Sequence, residues 1–254
     1  MPDRVLLKIG GSVITDKAVP GHVRYDEIDR ISRVIASRPD LRLLLVHGAG
    51  SCGHPEASRF RITGGVSEKN RSGIYETHRA VARLNARVVR SLREAGAEAV
   101  GVHLLSAGYA DNGRLVSSEF PQIATMIGLG IIPVLHGDVV MDRTKGASIV
   151  SGDQLVSLLP KPLGIARIGV ATDVPGVLMD GEVVDEITPG SKDTLEIGIS
   201  GHTDVTGGMS GKVRELLSLA EQGICSDIFQ ASRIGDFLDG KPHGGTRVRG
   251  DAEC

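Results

Sequence analysis

Leu44-Leu45-Val46-His47-Gly48-Ala49-Gly50-Ser51-Cys52-Gly53-His54 is an apolar run that breaks into three glycines and closes on a histidine. Leu41 to Val46 has the composition of a buried strand, and open α/β sheets bind ligands at the carboxyl ends of such strands. Glycine permits positive φ and close backbone approach, so the N–H groups of this loop can converge on an anion such as phosphate. His54 adds a side chain that can donate a hydrogen bond or carry a proton near neutrality. Gly48-x-Gly50-x-x-Gly53 also satisfies the dinucleotide fingerprint, which needs an acidic residue at the end of the next strand, roughly 20 residues on. That distance lands among Gly64, Gly65, Glu68, Lys69 and Asn70, a polar segment with no strand before it. On its own the loop reads equally as a plain glycine turn between strand and helix.

Upstream, residues 4 to 9 form an apolar strand running into Lys8-Ile9-Gly10-Gly11-Ser12, with Lys17 beyond. Two glycines flanked by lysines would stabilise a transferring phosphoryl group, although lysines are usually solvated surface groups. Lys8 lies inside an apolar strand, where burial would demand an anionic partner. Asp26 to Ser37 has helical spacing of Ile28, Ile31, Val34 and Ile35. Downstream, Arg59 to Ser72 reads as a mobile loop, and Gly73 to Ala95 as a long helix in which His78 is a surface or half-buried histidine. Ala99 to Leu105 reads as a strand, Phe120 to Leu129 as a helix, and Ile131 to Leu135 as a strand ending in His136-Gly137-Asp138.

Ser151-Gly152-Asp153 opens a helix to Leu159, and Asp153 is either its cap or an anion that holds lysines in place. Ile165 to Ala171 is a strand leading into Thr172-Asp173, and Val177 to Glu186 is a hairpin. Asp204-Val-Thr-Gly-Gly-Met-Ser-Gly-Lys212 opens a helix to Gln222. Thr206 and Val213 break the Walker pattern, yet glycines and a lysine at a helix N-terminus still make a phosphate clamp. Strands near Ile228 and at Thr246 to Val248 close the chain. The alternation predicts a doubly wound, largely parallel open α/β sheet sandwiched by helices. No internal repeat or linker interrupts it, so residues 1–254 are expected to form a single domain with an acceptor-binding N-terminal half and a nucleotide-binding C-terminal half.

Composition narrows the function. The net charge is −2, from 29 basic and 31 acidic residues, which gives no general attraction to nucleic acid or an anionic membrane. Aromatic residues are 3% with no Trp, which argues against base-stacking platforms. Cys52, Cys225 and Cys254 match neither a disulfide framework nor a zinc-ligand spacing, and no protein-borne metal ligands are expected. Val5-Leu6-Leu7 is too short for a signal-peptide core or a membrane span, so a cytoplasmic address is expected.

Lys8-Ile-Gly-Gly-Ser12, the glycine loop, Gly137-Asp138, Ser151-Gly152-Asp153, Thr172-Asp173 and Thr206-Gly-Gly-Met-x-Gly-Lys212 occur in the order of the amino acid kinase superfamily. Within it, Ile14-Thr-Asp-Lys17, His47-Gly-Ala-Gly-Ser-x-Gly-His54 and the 204–212 segment resemble the isopentenyl phosphate kinases. This resemblance implies a cytoplasmic, homodimeric enzyme of isoprenoid biosynthesis that transfers the γ-phosphoryl of ATP, with Mg²⁺, to isopentenyl phosphate. It implies catalytic roles for Lys8, Lys17, His54, Asp153 and Lys212. ATP would be bound by Lys8, Gly10, Gly11, Ser12, Gly50, Thr172, Asp173, Gly208 and Lys212. The acceptor phosphate would meet Ala49, Gly50, His54 and Gly152, and Ile74, Val139 and Ile149 are candidates for an apolar chamber, or for plain core packing. Cys52 and Pro175 depart from the family's Phe and Asp. Two alternatives stand beside this reading: a fosfomycin-type kinase, and a nucleotide-binding sensor without transfer activity.

Overall fold

The computed structural model describes residues 3–116, 120–191 and 208–250. Its strands are β1 (Arg4–Ile9), β2 (Arg42–His47), β3 (Ala99–Gly101), β4 (Ala110–Asp111), β5 (Arg114–Leu115), β6 (Ile132–His136), β7 (Asp138–Asp142) and β8 (Gly146–Val150). They continue with β9 (Arg167–Thr172), β10 (Leu178–Met179), β11 (Glu182–Val183), β12 (Glu186–Ile187), β13 (Ser226–Gln230) and β14 (Thr246–Val248). The helices are α1 (Gly11–Ile14), α2 (Tyr25–Ala36), α3 (Gly50–Arg59), α4 (Ser72–Glu94) and α5 (Leu104–Ala107). After them come α6 (Pro121–Gly128), α7 (Gly152–Leu158), α8 (Pro160–Leu163), α9 (Gly208–Ala220) and α10 (Ile234–Leu238).

Eight strands form one sheet in the order β12-β14-β13-β9-β1-β2-β6-β3. Every pairing is parallel except β13 with β14. Strand alternation sends neighbouring side chains to opposite faces, and both faces are buried. Leu6, Leu44, Val46 and Leu135 join one core with residues of α6, α7 and α9. Val5, Leu7, Leu43 and Leu45 join the other with α2, α4 and α10. Lys8 shares the parity of Leu6 and therefore points toward α7. That is how a lysine ends up inside the sheet.

Three readings are revised. The segment 99–105 is strand only to Gly101, and Leu104 instead starts α5 with its side chain buried in the core. A short apolar run does not distinguish strand from helix by periodicity alone. Asp138 to Val150 folds as the β7–β8 hairpin and joins a second sheet, β5-β4-β7-β8, that the sequence reading did not resolve. Cys225 takes part in a disulfide, although the cysteine spacing matched no framework. The 204–207 part of the phosphate-clamp motif lies outside the described residues. Among the described residues, no helix is long and apolar enough to cross a membrane.

Candidate active site

Because β1, β2, β6 and β9 are parallel, their carboxyl ends open on one edge of the sheet. Gly10, Gly48, Gly137 and Asp173 follow those ends, and all four line a single cleft of about 1170 Å³. The loops after β1 and β2 touch backbone to backbone. A Cβ on Gly11 would fall 2.5 Å from the Gly50 nitrogen, and one on Gly48 would fall 2.7 Å from the Gly11 nitrogen. Gly50 has φ +52° and opens α3, and the first residues of that helix line the cleft. Thr15 fastens the pair of loops: its hydroxyl donates to Gly11 O at 2.8 Å and accepts from Ser51 N–H at 3.0 Å.

Lys8 is 3% exposed, and its Nζ donates to Asp153 Oδ1 at 2.6 Å. Burial and the nearby Lys212 pull the Lys8 pKa below its ordinary value, while Asp153 opposes them. Lys212 Nζ lies 3.9 Å from the second carboxylate oxygen of Asp153 and donates to Gly208 O at 3.0 Å. One carboxylate thus holds two cations. Asp153 is not the cap of α7; the Ser151 hydroxyl takes that role, accepting from Gln154 N–H at 3.2 Å. Lys17, largely exposed, pairs with Asp173 at 3.2 Å. Burial would raise the Asp173 pKa, but hydrogen bonds from Ser12 and Lys17 hold it low. Thr172 mainly ties down its turn, donating to Val174 O at 2.7 Å.

His54, on α3, faces the same cleft. Burial first, and Lys212 second, lower its pKa, so its ring is neutral at pH 7 with one N–H to donate. The cleft brings together Lys8, Gly10, Gly11, Ser12 and Lys17 on one side and Ala49, Gly50, His54, Ile149 and Gly152 on another. Asp153, Thr172, Asp173, Gly208 and Lys212 complete it. Ile74 and Val139 are not on its wall. They pack behind Ile149 in a small cluster with Ile62 and Ala147.

The sequence did not reveal the polar network behind this wall. His47 and His136 are cross-strand partners at the ends of β2 and β6, stacked at 5.5 Å. His136 Nδ1 donates to Gly137 O at 3.0 Å, and its Nε2 lies 2.8 Å from His103 Nδ1. Burial, then His47, pushes His136 down to about 3. His78 Nδ1 donates to Asp138 Oδ2 at 2.8 Å. Burial raises Asp138 to about 6 against the pull of His78. Asp138 and Thr77 also line the cleft, each 2% exposed.

Glycine loops, two lysines shared by one carboxylate and a helix start surround one cleft of a doubly wound sheet, an arrangement suited to holding phosphates and offsetting their charge. Comparison with known proteins gives the family. The pattern of the amino acid kinase family matches residues 3–229, and the chain belongs to that family and is a phosphotransferase. Within the family its relatives include isopentenyl phosphate kinases. The isopentenyl phosphate kinase of Haloferax volcanii is 41% identical over 97% of this chain and 99% of its own. That of Methanothermobacter thermautotrophicus is 38% identical with the same coverage. A crystal structure of an isopentenyl phosphate kinase superposes with a TM-score of 0.85 at 33% identity, covering 96% of this chain and all of that one.

Proposed function

We propose that the protein transfers the γ-phosphoryl group of ATP to isopentenyl phosphate, giving isopentenyl diphosphate and ADP for isoprenoid synthesis. The observation that carries this reading is the ion pair of buried Lys8 with Asp153, in one cleft with Lys212 and His54. A phosphate monoester is already nucleophilic at neutral pH, so no general base is required; the protein need only align two phosphates and offset charge. The ATP phosphates would lie over Gly10, Gly11 and Ser12. Lys8 and Lys212 would stabilise the phosphoryl group in flight, with Asp153 holding both amines and Lys17 adding charge from the rim. The acceptor phosphate would sit on the N–H groups of Ala49, Gly50 and Gly152 and accept a hydrogen bond from His54. Its alkyl end would extend along Ile149, backed by Ile74 and Val139.

The carboxylates near the phosphate side, Asp153 and Asp173, are already engaged by lysines. That donor set fits a Mg²⁺ held by nucleotide phosphates and water, which is the cation's usual preference. Mg²⁺ would supply charge neutralisation between the β- and γ-phosphates. The N-terminal half is read as chiefly acceptor-binding and the C-terminal half as chiefly nucleotide-binding. Homodimer assembly and a cytoplasmic address come with the family reading.

The test is ATP consumption with isopentenyl phosphate, dimethylallyl phosphate and fosfomycin, in wild type and His54→Ala. Turnover of the prenyl phosphates, reduced about 10²-fold or more in the variant, is the expected result. Turnover of fosfomycin alone assigns the protein to phosphonate kinases. ATP binding with no turnover of any acceptor overturns the kinase reading for these substrates and favours a sensor.

A further inference from the structure

We propose that His78, His103 and Asp138 form a binding site for a divalent transition-metal ion of the Zn²⁺ or Co²⁺ class, distinct from any Mg²⁺ carried by the nucleotide. One nitrogen or oxygen from each residue lies within 4.8 Å of those from the other two. Among the described residues, this is the one His/Cys/Asp/Glu group spaced to hold an ion. Its members come from three elements: His78 from α4, His103 from the entry to α5, and Asp138 from the head of β7. Two imidazoles with one carboxylate suit Zn²⁺, Co²⁺ or Ni²⁺, whereas Mg²⁺ prefers oxygen donors throughout.

The surroundings hold these ligands in the way metal sites require. Gly137 O can only accept, so the His136 Nδ1 beside it carries the hydrogen. The Nε2 of a neutral His136 then accepts from His103 Nδ1–H at 2.8 Å. His103 is thereby fixed in one tautomer, with a lone pair on its other nitrogen. Metal-binding histidines are oriented by outer hydrogen bonds of this kind. Asp138 is fixed as well, because Oδ1 accepts from Val139 N–H at 2.8 Å and Oδ2 from His78 at 2.8 Å.

Bonds of about 2.0–2.1 Å put tetrahedral ligand atoms roughly 3.3 Å apart. An ion would therefore draw the group inward and replace the His78–Asp138 hydrogen bond with two metal bonds. His78 is 24% exposed, which leaves a path for entry. Three protein ligands leave a fourth position for water or an anion. A bound ion would tie α4 to β7 beside the cleft wall at Asp138.

The experiment titrates chelator-treated, desalted full-length protein with Co²⁺ alone, followed by visible absorption and by unfolding temperature. One Co²⁺ per chain, ligand-field bands of a four- or five-coordinate site, displacement by Zn²⁺ and a raised unfolding temperature are expected. His103→Ala and His78→Gln should each weaken binding at least about tenfold and remove the bands. His22→Ala, at an exposed turn, should change nothing. Far-ultraviolet circular dichroism identifies any unfolded variant, and either ligand variant suffices for the comparison. Absence of stoichiometric uptake, or uptake equal in wild type and the folded ligand variants, overturns the site and leaves a hydrogen-bonded cluster only.

Discussion

Lys8 is positioned by strand parity and kept in use by one carboxylate. Replacing Asp153 by Asn leaves that amine buried with no anion, and breaking a buried pair costs about 3–5 kcal/mol. Asp153 keeps some solvent contact, which favours the lower end of that range. Chemical denaturation of Asp153→Asn should therefore show a loss of about 3 kcal/mol, with kcat reduced by at least about 10²-fold as Lys8 sheds its proton or swings away. A stable variant with near-normal kcat would sink the proposed role. The buried histidines give a second consequence, through pH. His47 and His136 are wholly buried with lowered pKa values, burial being the main cause in each. Unfolding lets them take up protons below about 6.5, so the unfolded state binds more protons and stability falls as pH falls. Each contributes at most about 1.4 kcal/mol per pH unit in that window. Asp138, raised to about 6, acts in the opposite sense between its ordinary carboxylate range and pH 6. Urea midpoints should therefore drop from pH 7 to 5. A flat profile would mean that these rings are already protonated in the folded protein.

The glycine loops after β1 and β2 work as one unit, because each occupies space that a side chain on the other would need. Gly11→Ala would force the two backbones apart, since its Cβ meets the Gly50 nitrogen at 2.5 Å. The expected outcome is a drop in kcat of about 10²-fold from displaced phosphate donors, with the chain still folded by circular dichroism. Unchanged kinetics would show that neither loop touches the reacting groups. Away from the cleft, Asp142 accepts N–H bonds from Asn112, Gly113, Thr144 and Lys145, pinning the β4–β5 and β7–β8 turns together. Asp142→Ala should destabilise the protein by about 2–3 kcal/mol in urea unfolding and leave the KM for ATP unchanged. The sequence announced the long, strongly periodic elements, such as α2 and α4, and the glycine turns with a lysine in an apolar strand. It did not announce the β7–β8 hairpin, whose strands are short and the first of which carries an aspartate at each end. Nor did it announce the histidine network, because His78 and Asp138 are 60 residues apart and each looks ordinary in its own segment. Asp153 was legible only as two alternatives. Choosing between them required Ser151 to be seen as the cap.

Across the whole molecule, one sheet presents the proposed acceptor and nucleotide sites at a common edge. Each ligand should therefore stabilise the fold separately. A ligand at 100 times its Kd adds about 2.7 kcal/mol, equivalent to roughly 5–10 °C for a chain of this size. In wild type, a non-hydrolysable ATP analogue with Mg²⁺ and isopentenyl phosphate should each raise the unfolding temperature by that order. His54→Ala should lose most of the shift with isopentenyl phosphate and keep the one with the nucleotide. Lys212→Ala should weaken the nucleotide shift and keep the acceptor shift, because Lys212 belongs to α9 and not to the α3 start that carries the acceptor loop. If either variant abolished both shifts, the division of the chain into acceptor and nucleotide halves would fail, and the cleft would have to bind both ligands as one cooperative site.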